Sequence, residues 1–110
     1  MNPEDVGKLM EQAREMQSKL AALQQELALR RYEGAAGGGM VTAVVSGALR
    51  VLEIRIEPSL FEGDDREMLQ DLTAAALNAA LQNAQSQVQA ELQRASAGMA
   101  LPDLFGGATS

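Results

Sequence analysis

Apolar residues recur at alternating steps of three and four along the N-terminal quarter of the chain, and no other feature constrains the fold as strongly. The positions are Val6, Leu9, Ala13, Met16, Leu20, Leu23 and Leu27. This heptad stripe predicts an amphipathic helix about 40 Å long. Asn2 is the expected N-cap, and Pro3 suits the first helical position. The stripe either faces the core of the same chain or forms a coiled coil, and it is too long for a small sheet to cover completely.

Three segments after this helix are predicted to be strands: Arg30–Glu33, Met40–Ser46 and Leu49–Glu57. The second segment is rich in β-branched residues and contains no Pro. The third alternates, with Leu52, Ile54 and Ile56 expected on one face and Val51, Glu53, Arg55 and Glu57 on the other. One buried face and one exposed face favour an antiparallel meander.

Glycines mark the connections between these strands. Gly47 is expected to adopt a positive φ in a tight turn before the third strand. The Gly-rich connection, residues 34–39, fails both common phosphate-binding patterns. No Lys-Ser or Lys-Thr pair follows Gly39, and Thr42 stands where the dinucleotide fingerprint needs its third glycine. These glycines are therefore assigned to a strand-to-strand connection.

A second long helix is expected from Asp64 to about Ala95. Asp64 as N-cap and Glu67 three residues later match a capping box. Two apolar stripes follow, one formed by Leu69, Leu72, Ala76 and Ala79 and the other by Leu77, Leu81, Ala84, Val88 and Leu92. Small residues in the middle of this helix permit close approach of another helix or of the sheet. The predicted fold is α+β, in the order α-β-β-β-α, with a three-stranded antiparallel sheet and two long flanking helices.

The chain of 110 residues is expected to form one domain, residues 1–96, followed by a flexible tail, residues 97–110. No segment reaches the roughly 18 consecutive apolar residues of a transmembrane helix. The N-terminus also lacks the basic start and apolar run of a signal peptide. These features predict a soluble, cytoplasmic protein that has no membrane partner.

The composition removes most catalytic chemistry. The chain has no Cys and no His, which excludes disulfides, thiol nucleophiles and His-based acid–base or metal chemistry. Asp64, Asp65 and Glu67 are interpreted as a capped helix start rather than a metal cluster. Glu53 and Glu57 are interpreted as part of a solvated strand face rather than an acid–base pair. No catalytic residue, metal site or cofactor is predicted, and an enzyme is not expected.

Several motifs resemble those of the YbaB/EbfC family of bacterial nucleoid-associated proteins. They are "LMEQAREMQSKLAALQQEL", "MVTAVVSG", "IRIEPSLF", "DDREMLQDLTAAALNAAL" and "AGMALPDLF", in this order along nearly the whole chain. The resemblance implies a homodimer in which three-stranded sheets form a central body and long helices project like the arms of tweezers. It also implies duplex DNA binding with little sequence specificity, and a role in nucleoid organisation or gene expression.

Charge alone does not predict this function, because a net charge of −6 argues against strong nonspecific binding to nucleic acid. In the first helix each basic residue follows an acidic residue at a spacing typical of helix-stabilising ion pairs. The pairs are Glu4–Lys8, Glu11–Arg14, Glu15–Lys19 and Glu26–Arg30. The basic residues that have no such partner are Arg31, Arg50, Arg55 and Arg66.

If the protein binds DNA as the resemblance implies, its contacts with phosphate come from a subset of these cations. The candidate DNA-binding residues are Arg14, Lys19, Arg30 and Arg31, with Lys8 and Arg55 as outer candidates. The alternative function is that of a dimeric adaptor whose helical arms or tail bind a protein of the replication or recombination machinery. A steep salt dependence of nucleic-acid affinity would distinguish the first function from the second.

Overall fold

Two long helices flank a three-stranded antiparallel sheet in the computed structural model, which describes residues 2–98. The elements are α1 (Pro3–Leu29), β1 (Arg31–Ala36), β2 (Val41–Ser46), β3 (Val51–Ile56), a short α2 (Ser59–Glu62) and α3 (Arg66–Gly98). The predicted α+β class and the order α-β-β-β-α are confirmed. The one-turn helix α2 was not expected from the sequence. The expected flexible tail lies outside the described residues from residue 99 onward.

The sheet has the order β1-β2-β3, so β2 is paired on both sides and β3 forms one edge. The predicted alternation in the third strand is wrong at one point. Val44 pairs with Glu53 and Val45 pairs with Val51, which leaves Leu52 as an extra residue in a β-bulge. Val51 therefore shares a face with Ile54 instead of lying opposite to it. The third strand also stays largely exposed, with Leu52 and Ile54 at 46% and 39% exposure.

Helix α3 packs on one face of the sheet through a row of alanines. Ala76, Ala80 and Ala84 are fully buried against a core cluster that includes Val41 and Val45. Gly34 of β1 lies directly against the backbone of α3, where a Cβ atom would overlap the Ala80 backbone nitrogen. The expectation that small residues permit close approach of the sheet is therefore confirmed. Helix α3 also runs to Gly98, three residues beyond its expected end.

The glycines of the two connections between strands have different physical roles. Gly37, Gly38 and Gly39 all adopt positive φ, at 63°, 66° and 97°, in the turn between β1 and β2, which confirms that they connect two strands. The expectation for Gly47 is wrong, because Leu49 takes the positive φ of 63° in the turn before β3. Gly47 is needed instead for close packing, since a Cβ atom there would overlap the Leu27 carbonyl oxygen.

The N-terminus of α3 differs from the predicted capping box by one residue. The Met68 backbone N–H donates to Oδ1 of Asp65 at 2.9 Å, and the helix begins at Arg66. Asp65 rather than Asp64 is therefore the N-cap. Glu67 falls one position too early to return the reciprocal hydrogen bond of a capping box.

Helix α1 projects from the sheet and leaves the N-terminal part of its apolar stripe exposed. Leu27, near its C-terminal end, is buried beside Gly47, whereas Val6 and Leu9 are 42% and 46% exposed. The radius of gyration is 21.3 Å, compared with about 13 Å for a compact domain of this length. The prediction that a small sheet cannot cover the stripe is confirmed. Within the described residues, neither long helix carries an apolar run sufficient to span a bilayer.

Candidate nucleic-acid interface

Three of the predicted DNA-binding residues form one row along α1. Lys8, Lys19 and Arg30 follow one another at intervals of 11 residues. Eleven residues complete three helical turns and a further 20°, so the three positions lie on nearly the same side of the helix. Successive members of this cation row therefore lie about 16.5 Å apart, and its ends are separated by about 33 Å. Lys8 and Lys19 are exposed, and Arg30 follows the last residue of the helix. The row thus presents three cations on one side of the projecting arm.

Only one of the four ion pairs that the sequence suggests in α1 is formed. Arg30 Nη2 lies 3.0 Å from Glu26 Oε1, and this hydrogen bond raises the pKa of Arg30 above its usual value. Among residues 2–98, Lys8, Arg14 and Lys19 have no carboxylate within ion-pair distance. An exposed ion pair gains little Coulomb energy and must order two long side chains, which explains why the other three pairs are not formed. These three cations are available to another ligand.

Arg14 does not belong to the row. It is exposed on α1, but a separation of five residues places it about 140° around the helix from Lys19. A single duplex lying along the cation row would therefore not contact Arg14 from the same side. The structure brings Lys8, Lys19 and Arg30 together and separates Arg14 from them.

Arg31 and Arg55 lie on the outer face of the sheet, opposite α3, in a cluster with two glutamates. Arg55 Nη2 is 2.8 Å from Glu33 Oε1, and Arg55 Nε is 2.8 Å from Glu53 Oε2. Arg31 Nη2 is 4.0 Å from the same Glu53 oxygen. The hydrogen bond to Glu33 raises the pKa of Arg55, and Glu53 adds to this effect. Both arginines, which have no partner at helical spacing, are thus ion-paired across strands.

This outer-face cluster covers a buried residue of the central strand. Val44 pairs with Glu33 on one side and with Glu53 on the other, and it is 1% exposed. Residues paired across antiparallel strands point to the same face, so the charged side chains surround Val44. Glu33 and Glu53 were not recognised as partners from the sequence. The alternating charges at 31 and 33 and at 53 and 55 were the available signal, but the pairing depends on a register that includes the bulge.

The negative charge of the chain is concentrated far from α1. Residues 57–71 contain six acidic residues and one Arg, which accounts for a net −5 of the total −6. This acidic segment, residues 57–71, leads into α3 at the end of the sheet where Leu72 lies against Gly37. Helix α1 joins the opposite end, where Leu27 meets Gly47. The acidic segment and the attachment of α1 therefore lie at opposite ends of the sheet.

A search for related proteins adds evidence that is independent of this geometry. The profile of the YbaB/EbfC DNA-binding family matches residues 1–99. The chain belongs to the YbaB/EbfC DNA-binding family. It is 47% identical over 100 residues to a nucleoid-associated protein of Desulfotalea psychrophila, covering 91% of this chain and 94% of that protein. It is also 45% identical over 97 residues to a nucleoid-associated protein of Pseudomonas fluorescens, covering 86% and 87% of the two chains.

A solved structure shares the fold of this chain. The crystal structure of an uncharacterized protein from Helicobacter pylori superposes with a TM-score of 0.54. The match covers 79% of this chain and 96% of that chain, at 23% sequence identity. Membership in the YbaB/EbfC family places the chain among nucleoid-associated DNA-binding proteins, as the resemblance of its motifs implied.

Proposed function

We propose that this protein binds duplex DNA as a homodimer, with little sequence specificity, and thereby organises the nucleoid and affects gene expression. The family supplies the class of ligand. The cation row on α1 is the observation that carries the proposal for this chain. It combines exposure, regular spacing and distance from the acidic segment in one element.

The length of the row suits the backbone of a duplex. Its ends are about 33 Å apart, and successive major grooves on one side of B-DNA are separated by about 34 Å. Lys and Arg at such positions neutralise phosphates, which fixes the position of a protein on DNA but reads no sequence. Lys8 and Lys19, which have no ion-pair partner among residues 2–98, are therefore the main proposed contacts, and Arg30 extends their row although Glu26 partly neutralises it. Arg31 and Arg55 are proposed as weaker contacts because Glu33 and Glu53 already hold them, and Arg14 contacts DNA only from another side of the arm.

The uneven distribution of charge reduces the conflict between DNA binding and a net charge of −6. Outside the acidic segment the chain carries a net charge of only −1. The field of a charge in solution is screened over about 8 Å at physiological ionic strength. Helix α1 with Arg30 carries five carboxylates and four basic residues. A duplex lying along α1 therefore meets a nearly neutral local charge and not the net charge of the whole chain.

The proposed homodimer gives the exposed edge of the sheet a partner. Val51, Leu52 and Ile54 of β3 are all at least 39% exposed, and the strand is unpaired on its outer side. An unpaired apolar edge invites association, and a second copy would cover it. Dimerisation would also double the number of cation rows that a single assembly presents to DNA.

A salt titration of duplex binding tests this proposal. Each neutralised phosphate contributes about −0.9 to the slope of log affinity against log salt, so two or three contacts per chain predict a slope of roughly −4 to −5 for a dimer. Affinity should be micromolar or weaker near physiological salt and nearly independent of sequence. Reversing Arg30 and Arg31 to Glu should weaken binding to every duplex alike and make the slope shallower.

Two outcomes of the titration would contradict the proposal. An effect of the reversal that is confined to one sequence would indicate base readout. A folded dimer that binds no duplex at low salt would favour the adaptor function, for which the uncovered apolar stripe of α1 offers a surface.

A further inference from the structure

The half of α1 farthest from the sheet carries an apolar stripe that the rest of residues 2–98 leaves largely exposed. In heptad terms Val6 and Ala13 occupy a positions, and Leu9 and Met16 occupy d positions. Val6, Leu9 and Ala13 are exposed, Met16 is half-buried, and the helix is anchored at its other end through Leu27. We refer to residues 3–19 as distal α1. An exposed apolar surface of this kind marks an interaction site.

We propose that distal α1 pairs with distal α1 of a second copy in an antiparallel coiled coil. An antiparallel arrangement places each a residue opposite a d residue of the other helix. In the register that uses all four positions, Val6 packs on the partner's Met16, and Leu9 packs on the partner's Ala13. The symmetry axis then passes beside residue 11. The small Ala13 opposite the large Leu9 gives complementary volumes in the two central layers.

The charges that flank the stripe favour this register over a parallel one. Asp5, Gln12 and Lys19 occupy the g positions beside the stripe. In the antiparallel register Asp5 lies opposite the partner's Lys19, Lys19 lies opposite the partner's Asp5, and the two Gln12 side chains face each other. A parallel pair would place these residues opposite Met10, Gln17 and Gln24, where no ion pair is possible. Distal α1 is thus self-complementary in the antiparallel direction only.

The register also fits the exposure of the rest of the helix. Leu23 is half-buried and Leu27 is buried within the same chain, so the proximal part of the stripe is already occupied. The proposed pairing ends at residue 19 and needs none of these positions. The two Leu27 residues would lie about 48 Å apart along the paired helices. The sheets would therefore stand at opposite ends of the pair, which links two separate molecules without overlap.

This association goes beyond the proposed DNA binding and does not depend on it. Two dimers joined through their arms could hold two duplexes, or two sites on one duplex. Lys19 would serve either the partner's Asp5 or a phosphate, whereas Lys8 lies outside the pairing. Four apolar layers bury little area, so the pairing should be weak and most evident at high protein concentration.

Single-cysteine cross-linking tests the register directly, because the chain contains no Cys. In the antiparallel register residue 12 lies about 3 Å along the axis from residue 12 of the partner, whereas the two residues 24 lie about 39 Å apart. Gln12→Cys should therefore form a disulfide-linked dimer under mild oxidation without DNA, and Gln24→Cys should not. Equal cross-linking of both variants would indicate a parallel pair and overturn the proposal, as would the absence of a cross-link in Gln12→Cys.

Charge exchange in the Gln12→Cys background tests the ion pairs. Asp5→Lys and Lys19→Asp should each lower the cross-linked fraction about fourfold. Each exposed ion pair changes the association constant by a factor of about two, and the two-fold symmetry of the pairing contains two such ion pairs. The double variant should restore cross-linking, which a folding defect would not do. Glu11→Lys makes the same charge change as Asp5→Lys on the outer side of the helix and should have no effect. Failure of the double variant to restore cross-linking would overturn the proposed pairing.

Discussion

Replacing Gly34 by Ala should separate α3 from the sheet. A Cβ atom at this position would lie 2.6 Å from both the Ala79 carbonyl carbon and the Ala80 Cα, and these neighbours are backbone atoms that cannot rotate away. Normal carbon–carbon contact requires at least about 3.5 Å, so the helix must move by roughly 1 Å. The whole row of buried alanines, Ala76, Ala80 and Ala84, would be displaced with it.

The size of this effect follows from the packing that the movement disrupts. Overpacking a well-packed site typically costs about 1–3 kcal/mol. A radial gap of about 1 Å also forfeits up to half of the dispersion energy of each affected contact. We therefore expect Gly34→Ala to lower the free energy of unfolding by about 3 kcal/mol or more. For a domain of this size such a loss lowers Tm by roughly 12–20 °C.

Denaturant unfolding at one fixed protein concentration measures this loss, since association would otherwise contribute to the apparent stability. Two glycines of the same chain serve as controls. Gly7 lies in α1 with open space around it, so Gly7→Ala should stabilise the helix by about 0.5–1 kcal/mol. Gly38 also has open space but a φ of 66°, so Gly38→Ala should cost about 1–2 kcal/mol from backbone strain alone. A smaller loss for Gly34→Ala than for Gly38→Ala would show that α3 does not sit directly on β1.

Other regions of the chain give three further expectations. Asp65→Ala should cost about 1 kcal/mol in unfolding free energy because it removes the N-cap of α3, whereas Asp64→Ala should have little effect; the reverse result would restore the predicted capping box. Replacing Gly37, Gly38 and Gly39 by Ala should weaken folding, and the unsubstituted loop should bind no nucleotide. Calorimetric detection of ATP binding that the substitution abolishes would contradict this. Deleting residues 99–110 should leave the helical circular dichroism and the sedimenting mass nearly unchanged, and loss of a dimer would show that the apolar residues of this segment belong to an interface.

Local sequence patterns were sufficient to predict the two long helices and the three strands of the fold. The heptad stripe of α1 and the β-branched run of β2 depend on periodicities of one element each, and both lie where the sequence placed them. Two of the errors fall where residues distant in sequence meet. The bulge at Leu52 and the close contact between Gly47 and Leu27 are set by strand register and helix packing, which no single segment specifies. The N-cap of α3 was wrong by one residue because Asp64 and Asp65 are chemically equivalent choices.

The cation row on α1 could be predicted from the sequence, whereas the ion pairs on the outer face of the sheet could not. Lys8 and Lys19 lie on one helix, so their common side follows from helical geometry alone. The ion pairs of Arg55 with Glu33 and of Arg31 with Glu53 join β1 to β3 across β2, so they required the tertiary structure. The position of the acidic segment relative to α1 also required it, because net charge contains no information about where charges lie.

A comparison of two charge reversals tests most directly whether duplex binding is localised on α1. Lys19→Glu changes the middle of the cation row, and Arg66→Glu makes the same charge change beside the acidic segment at the start of α3. In a dimer Lys19→Glu should weaken binding to any duplex and make the salt slope shallower by about 2, because each chain loses one phosphate contact. Arg66→Glu should leave the slope unchanged. An equal loss for both variants, or no loss for Lys19→Glu in a folded protein, would contradict the assignment of the DNA-binding surface to α1.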